Sequence, residues 1–346
     1  MKFATFTHLP WPENNNPADL YERHAGQVIF AEELGFHSAW LAEHHFTRYG
    51  LGSAPMVIAS NIMARTNKIR IGTAVLVPPI HHPVRLAEEV SVLDVLSNGR
   101  VDVGFGRGGP GYEFRGYNVD HEESQDRFRE GISICEGLWS TPGFSYAGKY
   151  NTLDQTNLVP PPIQKPHPPI YIAATRTPAT LEYAVSTGHP TIVGNVQDTD
   201  DALDLCNRFV EMSRISGNNV PMSDIPFFRY LHVAKTEEEA KRNTVAPLNW
   251  VLDVIQWRRT FQHGSEVYEN LEDWRRDRSE LPLSYEHLYE HRAIIGTPEQ
   301  CLEKITRLTD AGIKFFGGNF AFGAMSDSVV KNSMELFAKE VMPYLN

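Results

Sequence analysis

The sequence holds little that would tie it to a disulfide framework, a membrane or a nucleic acid. Across 346 residues there are three cysteines, Cys135, Cys206 and Cys301. None of them pairs at metal-ligand spacing, and an odd number makes no disulfide framework, so a reducing compartment, the cytoplasm, is expected. No apolar run is long enough to span a bilayer. The opening stretch M-K-F-A-T-F-T-H-L-P lacks the extended apolar core of a secretory signal. Lysine and arginine number 32 against 43 acidic residues, a formal net charge of -11. That balance argues against nonspecific nucleic-acid binding and against an anionic membrane surface, both of which need a basic face. There is no G-x-S-x-G elbow of an α/β-hydrolase. The His-His pairs at 44–45 and 81–82 lack H-x-H or H-E-x-x-H spacing, so no metal is expected. Repeats of fixed short period and low-complexity tracts are also missing. What is present, 41% apolar and 22% charged residues, suits a soluble globular chain.

Short β-branched or apolar runs alternate with segments of helical spacing. Strands are expected at 2–8, 39–42, 69–77, 101–105, 169–174, 191–194, 227–234 and 314–319. Helices are expected at 19–34, 55–64, 84–96, 122–139, 178–188, 201–214, 236–257, 297–311 and 326–342. Eight strands in regular alternation with helices predict an α/β fold, a (β/α)8 TIM barrel with insertions, in a single domain over 1–346. Two stretches are too irregular for its core: a proline-rich excursion near 145–169 and a charged insertion near 258–291. The 55–64 helix is built of small and apolar residues. It can pack closely on a second subunit or on the chain's own sheet.

Three stretches carry chemistry. The apolar run Ala39 to Ala42 stops at Glu43, His44 and His45. The carboxyl ends of buried parallel strands form the crevice of such folds, although the same residues also suit a solvated polar loop. The glycines of G-F-G-R-G-G-P-G, 104–111, do not fit a dinucleotide fingerprint, because Pro110, Gly111 and Tyr112 are expected to break the helix it requires. They fit close approach of the backbone to a flat ligand, with Arg107 supplying positive charge, or, more plainly, a flexible loop. Finally, A-A-T-R-T-P-A-T, 173–180, follows a strand and opens a helix. Hydroxyls, Arg176 and free amides there favour a phosphate, the plainer alternative being a threonine cap.

Taken together, A-E-E-L-G-F-H-S-A-W-L-A-E-H-H-F, I-G-T-A-V-L-V-P-P-I-H-H-P-V-R-L-A-E-E, L-D-V-L-S-N-G-R-V-D-V-G-F-G-R-G and the late G-T-P-E-Q-C resemble the bacterial luciferase-like, flavin-dependent monooxygenases over nearly the whole chain. The resemblance implies reduced FMN as co-substrate at the carboxyl ends of a barrel's strands. It also implies oxygenation by a flavin C4a-hydroperoxide, and a separate NAD(P)H-dependent flavin reductase as partner. The substrate implied is a small or medium apolar molecule, an aldehyde, ketone or alkane. Residue by residue, His44 matches the catalytic histidine and Glu43 a residue lining the flavin pocket. Ala74-Val75 matches a non-prolyl cis peptide under the ring, and Arg107 the arginine on the phosphate side. Ala174, Thr175, Arg176, Thr177 and Thr180 are expected at the phosphate. Pairing of subunits, as homodimer or related heterodimer, through 55–64 and 84–96 is implied as well. The chain departs from the light-emitting members in two places. Gly106 stands where they carry a reactive cysteine, which leaves more space. Thr175-Arg176 replaces their acid-serine pair. Deazaflavin-dependent hydride transfer and a non-catalytic flavin-binding subunit are the alternatives on the same barrel.

Overall fold

The computed structural model describes all residues except 175–176, 263–264, 278–282 and 346. The first half of the chain runs β1 (Lys2–Thr7), α1 (Pro17–Glu33), β2 (Ser38–Leu41), α2 (Pro55–Met63), β3 (Arg70–Thr73), α3 (Pro83–Leu96), β4 (Val101–Phe105), α4 (Gly111–Gly116) and α5 (Ser124–Ser140). A two-stranded antiparallel ribbon, β5 (Phe144–Ala147) and β6 (Thr152–Thr156), follows. Then come β7 (Ile170–Ala173), α6 (Pro178–Thr187), β8 (Thr191–Ile192), α7 (Thr199–Ser216), β9 (Pro226–Val233) and α8 (Glu237–Trp257). The chain ends with α9 (Leu271–Asp277), α10 (Tyr285–His291), β10 (Ala293–Gly296), α11 (Pro298–Asp310), β11 (Phe315–Asn319) and α12 (Asp327–Glu340).

Nine strands form one parallel, curled sheet in the order β10-β9-β11-β1-β2-β3-β4-β7-β8. The curl brings Val193, just past β8, into a parallel bridge with Phe227 of β9. Strand alternation sends side chains to two cores. Ala4, Phe6, Trp40, Ile192, Phe228 and Phe315 fill the concave side. Phe3, Ala39, Leu41, Ile71, Val101 and Val103 face outward against the helices, including Val28 of α1 and Leu86, Val90 and Leu93 of α3. Gly72 is needed for this interior, since a Cβ there would lie 2.3 Å from Cδ2 of the fully buried Trp40. Helix ends follow local signals. Thr297 and Gln300 form a reciprocal capping box on α11, with proline in the first turn. After α3, Asn98 and Gly99 take left-handed backbone (φ 57° and 80°), the conformation that stops a helix.

Five expectations need correction. The sheet has a ninth strand, β10, whose short run A-I-I-G follows the charged stretch and lies between it and the 297–311 helix. The proline-rich excursion contains the β5–β6 ribbon. The charged stretch contains α9 and α10. Pro110 and Gly111 do not prevent a helix: Pro110 is the cap residue of α4 and Gly111 its first residue, positions where a missing N–H costs nothing. The strand expected over 69–77 ends at Thr73, and Ala74-Val75 beyond it is a cis peptide. No helix of the described residues is long and apolar enough to cross a membrane.

Candidate active site

Because the strands are parallel, their carboxyl ends meet at one end of the sheet. A cavity of about 460 Å³ lies there. It is lined by His8 after β1, Glu43 and His44 after β2, Ala74 and Val75 after β3, and Gly106 and Arg107 after β4. Ala173 of β7, Thr177 and Thr180 at the start of α6, and Asn195 after β8 complete the near wall. Leu252 and Ile255 of α8, Leu288 of α10 and the arginines 258, 259 and 292 form the far wall.

Glu43 is a buried strut. Its Oε1 accepts from His81 Nε2 at 2.6 Å and from His45 Nε2 at 2.9 Å, and its Oε2 accepts from the Val77 amide at 2.9 Å. Burial alone would raise this carboxyl, but the hydrogen bonds and charges of His45 and His81 outweigh it and hold the carboxyl at about 2. Burial lowers His81, and its bond to Glu43 more than reverses this, so that it titrates above its ordinary value. The Tyr117 hydroxyl reaches His45 Nδ1 at 3.0 Å. With Nε2–H committed to Glu43, Nδ1 is the acceptor, and the buried His45 has no nitrogen left for chemistry. Through Val77, the Glu43 carboxylate also fixes the turn that carries Ala74 and Val75.

His44 is arranged differently. Its Nδ1 lies 3.2 Å from Glu113 Oε1, which also accepts from the His45 amide at 3.2 Å. A carboxylate only accepts, so Nδ1 carries the proton and Nε2 is left with a lone pair. Burial lowers the His44 pKa, and Glu113 opposes that by hydrogen bond and charge, while Arg258 and His45 add to the lowering. The imidazole is therefore neutral at pH 7. Its ring meets Tyr49 edge-on at 4.8 Å and stacks at 5.9 Å on His8. His8 is held well below its usual value, first by burial and then by the charges of His44 and Arg258. Tyr49 Oη is 3.1 Å from His8 Nε2. We expect Glu113→Gln to remove the two interactions that raise His44. The acid limb of the kcat/KM profile should then move to lower pH, and an upward shift would contradict the tautomer assigned here.

After β4, Arg107 Nη1 donates to Ser124 Oγ at 2.9 Å. Thr177 precedes α6 without making a side-chain cap, so its hydroxyl and the Ala179 amide are available, whereas Pro178 has no N–H and the Thr180 amide donates to Thr177 O at 3.1 Å. Thr180 Oγ1 donates to Gln125 Oε1 at 3.2 Å, while Gln125 Nε2 is buried without a partner. Such a donor set fits a phosphate, and the small residues Ala74 and Gly106 leave a flat floor for a ring.

Most residues expected at the site are thus brought together. Ala174 is not among the lining residues. It points into the outer core at 1% exposure while Ala173 faces the cavity, because one step along a strand changes face. Thr175 and Arg176 lie outside the described residues. Gly106 does not leave more space, since a Cβ there would lie 2.3 Å from Val75 Cγ2. His8, Glu113, Tyr49, Asn195 and Arg258 escaped the sequence reading. His8 carried the same signal as His44, a histidine ending an apolar strand.

Comparison with known proteins agrees with this geometry. The model of the luciferase-like monooxygenases matches residues 1–314. The chain belongs to that family. As a member it is a flavin-dependent monooxygenase. Among its relatives is the oxygenase component of the flavin-dependent trigonelline monooxygenase of Acinetobacter baylyi, 26% identical over 99% of this chain and 95% of that protein. The crystal structure of monooxygenase RslO1 from Streptomyces bottropensis superposes with a TM-score of 0.87 at 25% identity, covering all of both chains. The oxygenating constituent of 3,6-diketocamphane monooxygenase from Pseudomonas putida, solved in complex with FMN, shares the fold with a TM-score of 0.82 at 20% identity over 99% and 98% of the two chains. Enzymes dependent on coenzyme F420 share the fold too.

Proposed function

We propose that this chain is the oxygenating component of a two-component system that takes FMN already reduced by a separate NAD(P)H-dependent reductase. It would use O2 to oxygenate a small or medium organic substrate with an apolar body, an aldehyde, ketone or alkane. The observation that carries this reading is the convergence of His44, the Ala74-Val75 floor and Arg107 in one cavity. Reduced FMN, when bound, supplies the reaction with O2. The protein's share is to bind, orient, exclude water and handle a proton. Arg107, Thr177, Thr180 and the start of α6 would hold the phosphate. Ala74, Val75 and Gly106 would support the ring, and Leu252, Ile255 and Leu288 would keep water out. His44 Nε2, oriented by Glu113, is the proton acceptor. We also read the curled sheet as a closed (β/α)8 barrel. The support is that Val193 N donates to Pro226 O at 3.0 Å and Phe228 N to Val193 O at 2.8 Å across the seam. Three free buried thiols suit a cytoplasmic location.

The test is anaerobic titration with photoreduced FMN and, separately, with reduced F420. FMN should bind the more tightly, and Arg107→Ala should weaken it by about tenfold to a hundredfold, as expected for one charged hydrogen bond lost. Preference for F420 would replace this reading with hydride transfer.

We infer in addition that the chain pairs through α2 and α3. Val57 and Leu96 are 70% and 71% exposed, and Val92 and Val95 lie exposed beside them, a patch that invites a partner. Light scattering should give a dimer at micromolar concentration and a monomer for Val57→Glu with Leu96→Glu. A monomeric wild type would contradict the inference.

A further inference from the structure

Four arginines line the cavity, at 107, 258, 259 and 292, against two glutamates, 43 and 113. Both glutamates are committed to histidines and backbone amides. Arg107 is bonded to Ser124, and Arg292 Nε to Asp198 at 2.6 Å. Arg259 is exposed and makes a long bond to Gln256. Arg258 differs from these. Among the described residues no carboxylate forms an ion pair with it, and its Nη1 is buried without a hydrogen-bond partner. Its guanidinium lies 3.8 Å over the ring of Tyr49, the ring whose edge packs on His44. Stacking fixes a guanidinium in place without neutralising it and leaves its edge donors free for a planar acceptor. The Tyr112 hydroxyl, also buried, lies close enough to interact with the same guanidinium and with Thr47. Beside Arg258, the wall formed by Leu252, Ile255 and Leu288 is apolar.

We propose that Arg258 receives a carboxylate at one end of an otherwise apolar substrate and so orients the substrate beside His44. A half-buried guanidinium with one nitrogen out of reach of water and without a counter-ion is costly, and a bidentate carboxylate satisfies it. The stack on Tyr49 sets the distance from that anchor to His44, so the anchor selects which part of the molecule meets the cofactor. This deepens the flavin reading above and rests on it.

The test uses FMN-loaded protein. Benzoate and straight-chain carboxylates of six to ten carbons, each paired with its neutral primary amide, are titrated while the flavin spectrum is followed. Wild type should bind the carboxylates about tenfold to a hundredfold more tightly than the amides. Arg258→Met should lose that preference and Arg258→Lys keep part of it, with FMN affinity in both changed less than about threefold. Amides binding as well as acids, no response to any carboxylate, or a preference surviving in Arg258→Met would overturn the proposal. A loss of FMN affinity of tenfold or more in Arg258→Met would overturn it as well, by assigning Arg258 to the cofactor. If Arg258→Met does not fold, the wild-type comparison and Arg258→Lys decide. Failure of wild type to bind FMN at all would remove the flavin reading itself and the proposal with it.

Discussion

Replacing His44 with alanine should lower product formation by about 10²- to 10⁴-fold, the usual contribution of a positioned proton-transfer group. FMN binding should change less than about threefold. The two effects separate because the expected phosphate contacts, Arg107 after β4 and the start of α6 after β7, come from other strands than His44, which follows β2. The ring is neutral at pH 7, its Nδ1–H is directed to Glu113, and only Nε2 is left to take a proton. Alanine removes that acceptor and leaves the Glu113 bond to the His45 amide in place. Steady-state turnover with a flavin reductase, set beside FMN titration, measures both quantities. The neighbouring histidine is the control. His45 is 2% exposed and bonded at both nitrogens, so His45→Ala should impair stability more than chemistry. Wild-type turnover by His44→Ala would sink the assignment.

Glu43→Ala should destabilise the fold by about 3–5 kcal/mol, the cost of removing one partner from a buried ion pair. Three donors, from His45, His81 and Val77, lose their acceptor together. A carboxyl held at about 2 instead of 4.5 corresponds to about 3 kcal/mol at neutral pH, which agrees in size. The sign can be followed with pH. The depressed Glu43 pKa gives stability that is complete above about 4.5 and is lost as pH falls toward 2. The raised His81 pKa gives stability that is complete below 6.5 and is lost as pH rises through the folded value. Wild type should therefore lose stability on both sides of a window between these limits, and Glu43→Ala should flatten both slopes. Urea denaturation from pH 3 to pH 9 measures this. A loss under about 1 kcal/mol would mean that the network carries no weight. FMN affinity should fall too, because the Val77 amide ties Glu43 to the floor under the ring.

Local pattern revealed the histidines at the end of β2, where an apolar run breaks off at E-H-H. Ala74-Val75 was reached through resemblance, since nothing in four small apolar letters signals a cis bond. Glu113 was missed because Pro110 and Gly111 read as breakers, whereas at a helix start they are permitted. Arg258 was missed because it opens a charged stretch taken as an insertion. Its position over Tyr49 depends on contacts between residues more than two hundred apart. Ala173 and Ala174 were exchanged because identical neighbours do not reveal the phase of the pleat. In each of these cases the missing information was tertiary.

The most direct test of the account is stopped-flow mixing of O2 with the anaerobic complex of this protein and reduced FMN, for wild type and His44→Ala, following flavin reoxidation and hydrogen peroxide release. The account predicts that wild type reoxidises bound FMN more slowly than free FMN does and holds back peroxide, and that His44→Ala releases peroxide faster. Reoxidation at the free-flavin rate in both proteins, with equal peroxide release, would contradict it.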